Sequence, residues 1–407
     1  MRFEAFFAAR LSSGDNNTVS GRADRIGTAA LALALVVMLI SLATGLGLQR
    51  EIAAKLTGFG GELSIVDYPK NDENTEPLQL DSALETALSA HPGIESYQPS
   101  ARKQGLLKTQ DDFEGVLLKG IDERYDKGFL ERYLEVGTLP RYTDSTYNDS
   151  VVISRTLADK MRLGVDSGFA VFFIRQAPDP PLVRNFWVSG IYATGMEEID
   201  ARFLIAHLKH LNRLNKWDSN QVGEVEIRLK PGFDAAVVAD ELLTEIPAEA
   251  DVWTARDRYL AVFQWLDLFD LNIYLIVLIM TLVGLINTLT ALLIFMLERK
   301  RTIGLLLALG ARRGQIAAAF RRHALKMVGR GMITGNLIGL GFCGLQQHFG
   351  WLRLDPDVYY VDAVPIAFEP WAILGLNGLI FFVAYLSLTL PLRSFARIPP
   401  VEALKAF

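Results

Sequence analysis

The chain has 407 residues, half of them hydrophobic and 21% charged, and its mean hydropathy is +0.22, a balance that leans away from an ordinary soluble enzyme and toward lipid. Its formal net charge of −5 averages over segments of opposite bias and points to no nucleic-acid partner. The single cysteine, Cys343, excludes a disulfide framework, so any folded domain must rest on its own hydrophobic core.

Met1 to Arg10 (1–25 with its linker) places Phe3, Phe6 and Phe7 on one side of a short helix, which suits an interfacial segment; a frayed tail is the alternative. Four stretches then lack Asp, Glu, Lys and Arg: Ile26 to Leu48, Leu271 to Leu297, Gly331 to Leu352 and Pro370 to Leu392. Each exceeds the roughly 20 residues that carry a helix across about 30 Å of hydrocarbon, so four crossings are expected, one plus three. The first is read as retained, because its apolar core outruns a signal segment and no A-x-A-like site follows. Its helical period continues through Leu48, Ile52, Leu56 and Phe59 to Gly58, Gly60 and Gly61, which predicts a stalk.

Between the first two spans, 49–270 forms one large domain of α+β class, with an internal echo. Glu62 to Asp67 reads as a strand, Ser82 to Ala90 as a helix opened by a Ser82/Glu85 capping box, and Glu95 to Gln98 as a strand. The order returns in Glu224 to Leu229, Asp234 to Ile246 and Asp251 to Trp253, which predicts a split β-α-β sandwich. A β-rich insertion lies between, at about 104–217, with strands at Gly105 to Lys108, Gly115 to Lys119, Val151 to Ser154, Ala170 to Ile174 and Phe186 to Ile191. Helices are expected near Arg155 to Leu163 and Ala206 to Leu214. Between two of those strands, Gln176-Ala-Pro-Asp-Pro-Pro-Leu-Val183 cannot donate to a ladder at Pro178, Pro180 or Pro181, so it is a protruding hook or an ordinary hairpin tip. Arg256 to Phe269 is amphipathic and runs into the second span as a second stalk; paired stalks would pass rigid-body motion between their ends.

Basic residues set the orientation. Arg2, Arg10, Arg22 and Arg25 precede the first span, Arg393, Arg397 and Lys405 follow the last (393–407), and 298–330 carries nine Lys and Arg against Glu298 alone. The 353–369 loop is acidic, with Asp355, Asp357, Asp362 and Glu369 against Arg353. Both termini and 298–330 are therefore expected in the cytoplasm, and 49–270 outside it.

Chemistry is conspicuously absent from the chain. There is no G-x-x-x-x-G-K-[ST] phosphate loop, H-E-x-x-H or G-x-S-x-G, and the five histidines show no metal spacing beyond His207 and His210, a pair better read as a helix-surface accident. The spans hold no carboxylate or lysine for proton relay, and Asn287 and Thr288 suit a contact between helices. The chain is thus expected to be non-catalytic, with no cofactor or metal of its own.

The informative segment is Glu298-Arg-Lys-Arg-Thr-Ile-Gly-Leu-Leu-Leu-Ala-Leu-Gly-Ala-Arg-Arg-Gly-Gln-Ile316: a charged helix exit, a short helix offering an apolar face over Ile303 to Leu309, a turn at Gly310, and a restart with Ile316, Phe320 and Met327 on one face. A helix lying beside anionic lipid is the alternative. The run resembles the E-[KR]-x-[RK]-x-I-G-x-L-[KR]-A-L-G-A signature of FtsX/MacB-type permeases of ABC transporters. Glu298, Arg299, Arg301, Ile303, Gly304, Leu306, Ala308, Leu309, Gly310 and Ala311 fit it, and Leu307 departs where a basic residue is common. The ending Ala396-Arg-Ile-Pro-Pro-Val-Glu-Ala-Leu404 is similar to that group's D-P-[VA]-E-A-L-R tail, with Pro399 in place of the acid.

Within the group, Lys119-Gly-Ile-Asp122, Val151-Val-Ile-Ser154 with Leu157, and Val188-Ser-Gly-Ile-Tyr-Ala-Thr-Gly-Met-Glu-Glu-Ile-Asp200 resemble the lipoprotein-releasing permeases LolC and LolE. That resemblance implies an inner-membrane permease that extracts lipoproteins and passes them to a LolA-like periplasmic carrier. It further implies a second permease subunit, identical or not, and a separate LolD-like ATPase that uses ATP and Mg. The coupling contact would fall on the signature residues, and carrier binding on the hook: Arg175, Gln176, Pro178, Pro180, Pro181, Val183 and Arg184, shorter than the family's and without its Met/Leu-Pro-Arg tip. Two alternatives keep the fold: a MacB-like efflux permease for a drug, peptide or toxin, which usually has its ATPase fused, and an FtsX-like transducer of cell-wall hydrolysis, for which the outer domain is large.

Overall fold

The computed structural model describes residues 19–67, 77–109, 112–143, 147–174, 180–218 and 220–387. In chain order these form α1 (Val19–Gly60), β1 (Leu63–Asp67), β2 (Leu78–Gln79), α2 (Ser82–Ala90), β3 (Ile94–Lys108), β4 (Phe113–Ile121), α3 (Gly128–Tyr133) and β5 (Leu134–Gly137). Then come β6 (Ser150–Ser154), α4 (Arg155–Met161), β7 (Gly168–Phe173), β8 (Leu182–Tyr192), α5 (Glu197–Asp200), β9 (Phe203–His207), α6 (Leu208–Asn215), β10 (Gln221–Val222) and β11 (Glu224–Leu229). The chain continues through α7 (Ala235–Leu242), β12 (Ala250–Thr254), α8 (Ala255–Arg258), α9 (Leu260–Glu298), α10 (Lys300–Ala308), α11 (Arg313–Phe349), α12 (Pro356–Tyr359) and α13 (Pro370–Ser387). The interfacial segment expected at Met1 to Arg10 and the motif at Ala396 to Leu404 lie outside the described residues. Two compact units result: a helical one, Met1–Arg50 with Trp265–Arg353 and Ala363–Phe407, and an α/β one, Glu51–Gln264 with Leu354–Asp362.

In the helical unit, α1 and α9 are long and apolar enough to cross a membrane by length and composition. With 42 residues, α1 extends roughly 60 Å, about twice the hydrocarbon thickness. α11 is unbroken from Arg313 to Phe349, so the restart after Gly310 and the third charge-free stretch are one helix, ended by Gly350 at φ +59. Its glycines explain how it packs. A Cβ on Gly331, Gly335 or Gly339 would lie 3.1 Å from the Thr28 carbonyl oxygen, 2.9 Å from that of Ala32 and 3.0 Å from Leu39, so a bare ridge at i, i+4, i+8 lets α11 lie directly on α1. α13 joins through a reciprocal amide pair, Asn336 donating to Asn377 at 2.7 Å and Asn377 to Asn336 at 3.0 Å, and through Leu376 and Ile380 packed with Leu31, Leu35 and Met38. Of Asn287 and Thr288, expected to suit a polar contact between helices, Thr288 turns its hydroxyl back onto the Gly284 carbonyl of its own helix at 2.7 Å.

In the α/β unit the echoed halves, β1-α2-β3 and β11-α7-β12, interleave in one antiparallel sheet of order β12-β1-β11-β3. Leu84 and Leu88 of α2 and Val238 and Leu242 of α7 share a core with Leu63, Ile65, Val225, Ile227 and Val252, so both helices cover one face. The cap of α2 is one residue earlier than the Ser82/Glu85 reading: the Asp81 carboxylate accepts from the Leu84 N–H at 2.8 Å.

The β-rich part is a closed ring, each strand bonded to the next in the order β3-β4-β9-β6-β8-β7 and back to β3. Closure leaves the six strands no free edge and encloses Leu107, Leu118, Val151, Ile153, Val171, Phe173, Phe186, Val188 and Leu204. The strands read separately at Glu95 to Gln98 and Gly105 to Lys108 are one fifteen-residue strand, β3, which pairs β11 up to Ser100 and β4 from Ser100 onward. Gly105 makes the closure possible, since a Cβ there would sit 2.6 Å from Val171. Ala206 and His207, read as the start of a helix, are the end of β9, because Phe203–His207 pairs β4 in parallel before α6 begins at Leu208.

Candidate functional site

The signature residues form an elbow between α9 and α11. α9 ends at Glu298, Arg299 donates its N–H to the Phe295 carbonyl at 3.3 Å, and α10 continues from Lys300. Gly310 ends α10 in the left-handed region at φ +91, a conformation that a side chain would strain, and turns the chain toward α11. Gln315 holds the new start by accepting from the Arg312 N–H at 3.1 Å.

The inner side of the elbow is a packed core. Leu292, Phe295 and Met296 of α9 meet Ile316, Ala319, Phe320 and Ala324 of α11, with Ile303 and Ala311 against them. Phe295 is its centre: Phe320 approaches edge-on at 5.6 Å, His323 stacks on it at 4.1 Å, and the Arg299 guanidinium lies 5.9 Å from its centroid. His323 Nε2 is 3.3 Å from an Asp24 carboxylate oxygen, which ties α1 to the same corner.

The apolar face read over Ile303 to Leu309 is therefore split. Ile303 and Gly304 turn inward, whereas Leu305 is 56% and Leu309 77% exposed, with Glu298 and Gly310 also at the surface. The reason is the period: residues two and six positions past Ile303 stand away from the side on which Ile303 packs. Arg301 and Leu306 fall within α10. The arrangement is a bend packed on its inside, with two apolar side chains, Leu305 and Leu309, exposed on its outside.

The hook is less a loop than it reads. Val183 and Arg184 belong to β8, paired with Phe172 and Val171 of β7, because Leu182 to Val188 resumes a strand alternation once the prolines end. Pro180 and Pro181 are exposed just before it; Arg175, Gln176 and Pro178 lie outside the described residues. Phe113, at the start of β4, and Ile174, just past the end of β7, are 73% and 81% exposed, two apolar residues that strand-by-strand reading did not single out.

Among the described residues no group of three or more His, Cys, Asp or Glu could hold a metal, and His207 and His210 sit in an aromatic cluster with Tyr142 and Tyr147.

Residues 274–400 match the family described as FtsX-like permease C-terminal. The lipoprotein-releasing system transmembrane protein LolC of Xylella fastidiosa is 21% identical over 404 residues, covering 92% of each chain, and LolE of Haemophilus influenzae is 20% identical over 398 residues, again 92% of each. A macrolide export ATP-binding/permease protein, MacB 2 of Aeromonas hydrophila, is 28% identical over 193 residues, 46% of this chain and 28% of that protein. The periplasmic region of MacB from Actinobacillus actinomycetemcomitans aligns in three dimensions with a TM-score of 0.34 and 15% identity, over 49% of this chain and 91% of that one. Residues 274–400 thus resemble the C-terminal domain of FtsX-like permeases, in a chain similar along most of its length to the permeases LolC and LolE.

Proposed function

We propose that the chain is the permease subunit of an ABC transporter that lifts lipoproteins out of the inner membrane for a periplasmic carrier. In this reading it crosses the membrane four times, through α1, α9, the second part of α11, and α13 with the residues after it. Both termini and the elbow are cytoplasmic, and Glu51–Gln264 is periplasmic. A separate ATPase subunit binds and hydrolyses ATP with Mg; two permeases, identical or not, complete the complex; and the region around Pro180, Pro181 and Val183 meets the carrier. The observation that carries the reading is the elbow: a signature segment packed on its inside around Phe295 and presenting Leu305 and Leu309 outward.

Leu309→Asp tests it. The side chain is 77% exposed, so the substitution leaves the elbow core alone while placing a charge on the docking face. Co-purified complex in proteoliposomes should lose most of its ATP turnover, roughly tenfold or more, matching the loss of about 1.4 kcal/mol or more of contact energy. Turnover equal to wild type overturns the coupling role. Depletion separates the cargo readings: lipoproteins stranded in the inner membrane support this one, drug hypersensitivity the MacB-like one, and chained cells the FtsX-like one.

A further inference from the structure

Five charged side chains, three of them buried and two half-buried, meet in the α/β unit at the point where β3 leaves the sheet and enters the barrel. Lys119 of β4 and Glu226 of β11 are fully buried and 2.7 Å apart. Arg102 of β3 lies 2.7 Å from the Glu224 carboxylate, and Arg258 of α8 reaches the other oxygen of Glu224 at 2.5 Å. Ser100, the residue at which β3 changes partners, donates to Glu224 or Glu226, 3.0 Å from each. Tyr125 caps the group, 2.8 Å from the Lys119 ammonium.

The cluster reaches two further elements. The Phe59 carbonyl, in the last turn of α1, accepts from Lys119 and, at 3.1 Å, from Tyr125. Arg258 stands two residues before α9 begins. The end of α1, the start of α9, the sheet and the barrel are therefore all held by one set of charges. Such a set is a poor way to gain stability, because stripping water from five ions costs about what their attraction returns, and apolar residues of the same volume commonly do as well. What it supplies is directional fixing: each bond specifies one orientation of a helix end against the strands.

We propose that Lys119 and Glu226 are positioning residues for the transport cycle, locking the ends of α1 and α9 to the sheet and barrel so that the α/β unit follows those helices without lag. This rests on the permease reading above. The cluster takes no part in ATP chemistry and binds no cargo; it converts movement of two helices into movement of a domain.

The test separates locking from folding. Lys119→Met alone takes from Glu226 its nearer cation, leaving Arg102 at 3.7 Å, and should lower the unfolding temperature markedly. Lys119→Met/Glu226→Met removes one charge of each sign, keeps Tyr125 on the Phe59 carbonyl and Ser100 on Glu224, and should return the unfolding temperature to near wild type. Full-length chain in nanodiscs with its ATPase, in a Cys343→Ser background, then carries spin labels at Glu51→Cys on α1 and Asp159→Cys on the barrel, both exposed. Locked, the pair should give one narrow distance distribution with and without ATP and vanadate; the double variant should give a distribution at least twice as broad at unchanged unfolding temperature. A narrow distribution in the double variant, in both states, overturns the proposal. An ATPase indifferent to the chain overturns the permease reading instead, and the nucleotide-free distances still decide whether the charges lock the joint.

Discussion

Lys119 shows how much one buried group can be asked to do. Burial, its largest influence, draws its pKa down to about 8 from the usual 10.5, against the pull of Glu226, and the groups facing it are Glu226, Glu224, Arg102 and Tyr125. Between those two pH values the unfolded chain holds a proton on Lys119 that the folded chain has released. The residue's contribution is thus greatest above pH 10.5 and is lost as the pH falls toward 8. Urea unfolding at pH 8 and pH 10 should show wild type gaining stability with pH relative to Lys119→Met; parallel lines would refute the assignment. Nothing in the spacing of Lys119, Glu224 and Glu226 announces this cluster, since the three meet only through the pairing of strands a hundred residues apart. Leu309, in contrast, is legible by motif, but its exposure is hidden when Ile303 to Leu309 is taken as one apolar face: the helical period sets Leu309 away from Ile303, and the packing around Phe295 shows which of the two turns in.

At the scale of elements, the reading from sequence was most secure where a period runs long. The first two charge-free stretches fall inside α1 and α9, the third is helical in α11 as far as Phe349, and the fourth coincides with α13 as far as Ser387, because an apolar run of that length in lipid satisfies its backbone as a helix. It was weakest at joins. Continuity of α11 across Gly329 and Gly331 escaped because basic residues before and apolar ones after look like two segments, and β9 escaped because Phe203–His207 leads directly into α6 with no glycine or proline between. The glycine ridge stands in the sequence as G-x-x-x-G-x-x-x-G, at Gly331, Gly335 and Gly339. Its role makes a sharp prediction: Gly335→Leu would drive a side chain into the Ala32 carbonyl, 2.9 Å from where its Cβ would lie, and should cost about 1–3 kcal/mol, seen as a lower unfolding temperature in detergent. Gly341→Leu on the same helix meets nothing within 4 Å and should be silent by the same measurement. Equal effects at both sites would remove the ridge from the account.

For the molecule as a whole, the placing of charge across the membrane is the statement that the rest of the functional reading needs. In a Cys343→Ser background, a maleimide that cannot cross bilayers should label Asp159→Cys in spheroplasts and reach Leu309→Cys only after lysis. Labelling of Leu309→Cys from outside would reverse the topology and with it any ATPase contact at the elbow. One feature of the α/β unit also governs what can be exchanged between such chains. Because β3 is a structural member of both the sheet and the barrel, the barrel has no seam of its own on that side. A chimera that imports a relative's barrel at residues 104–217 would splice the two parents inside a single strand, four residues past Ser100 and next to the Gly105 that admits β7. Workable grafts must either carry the whole of Ile94–Lys108 with its β11 partner or replace only turns between barrel strands, leaving β3 in one parent's hands from end to end.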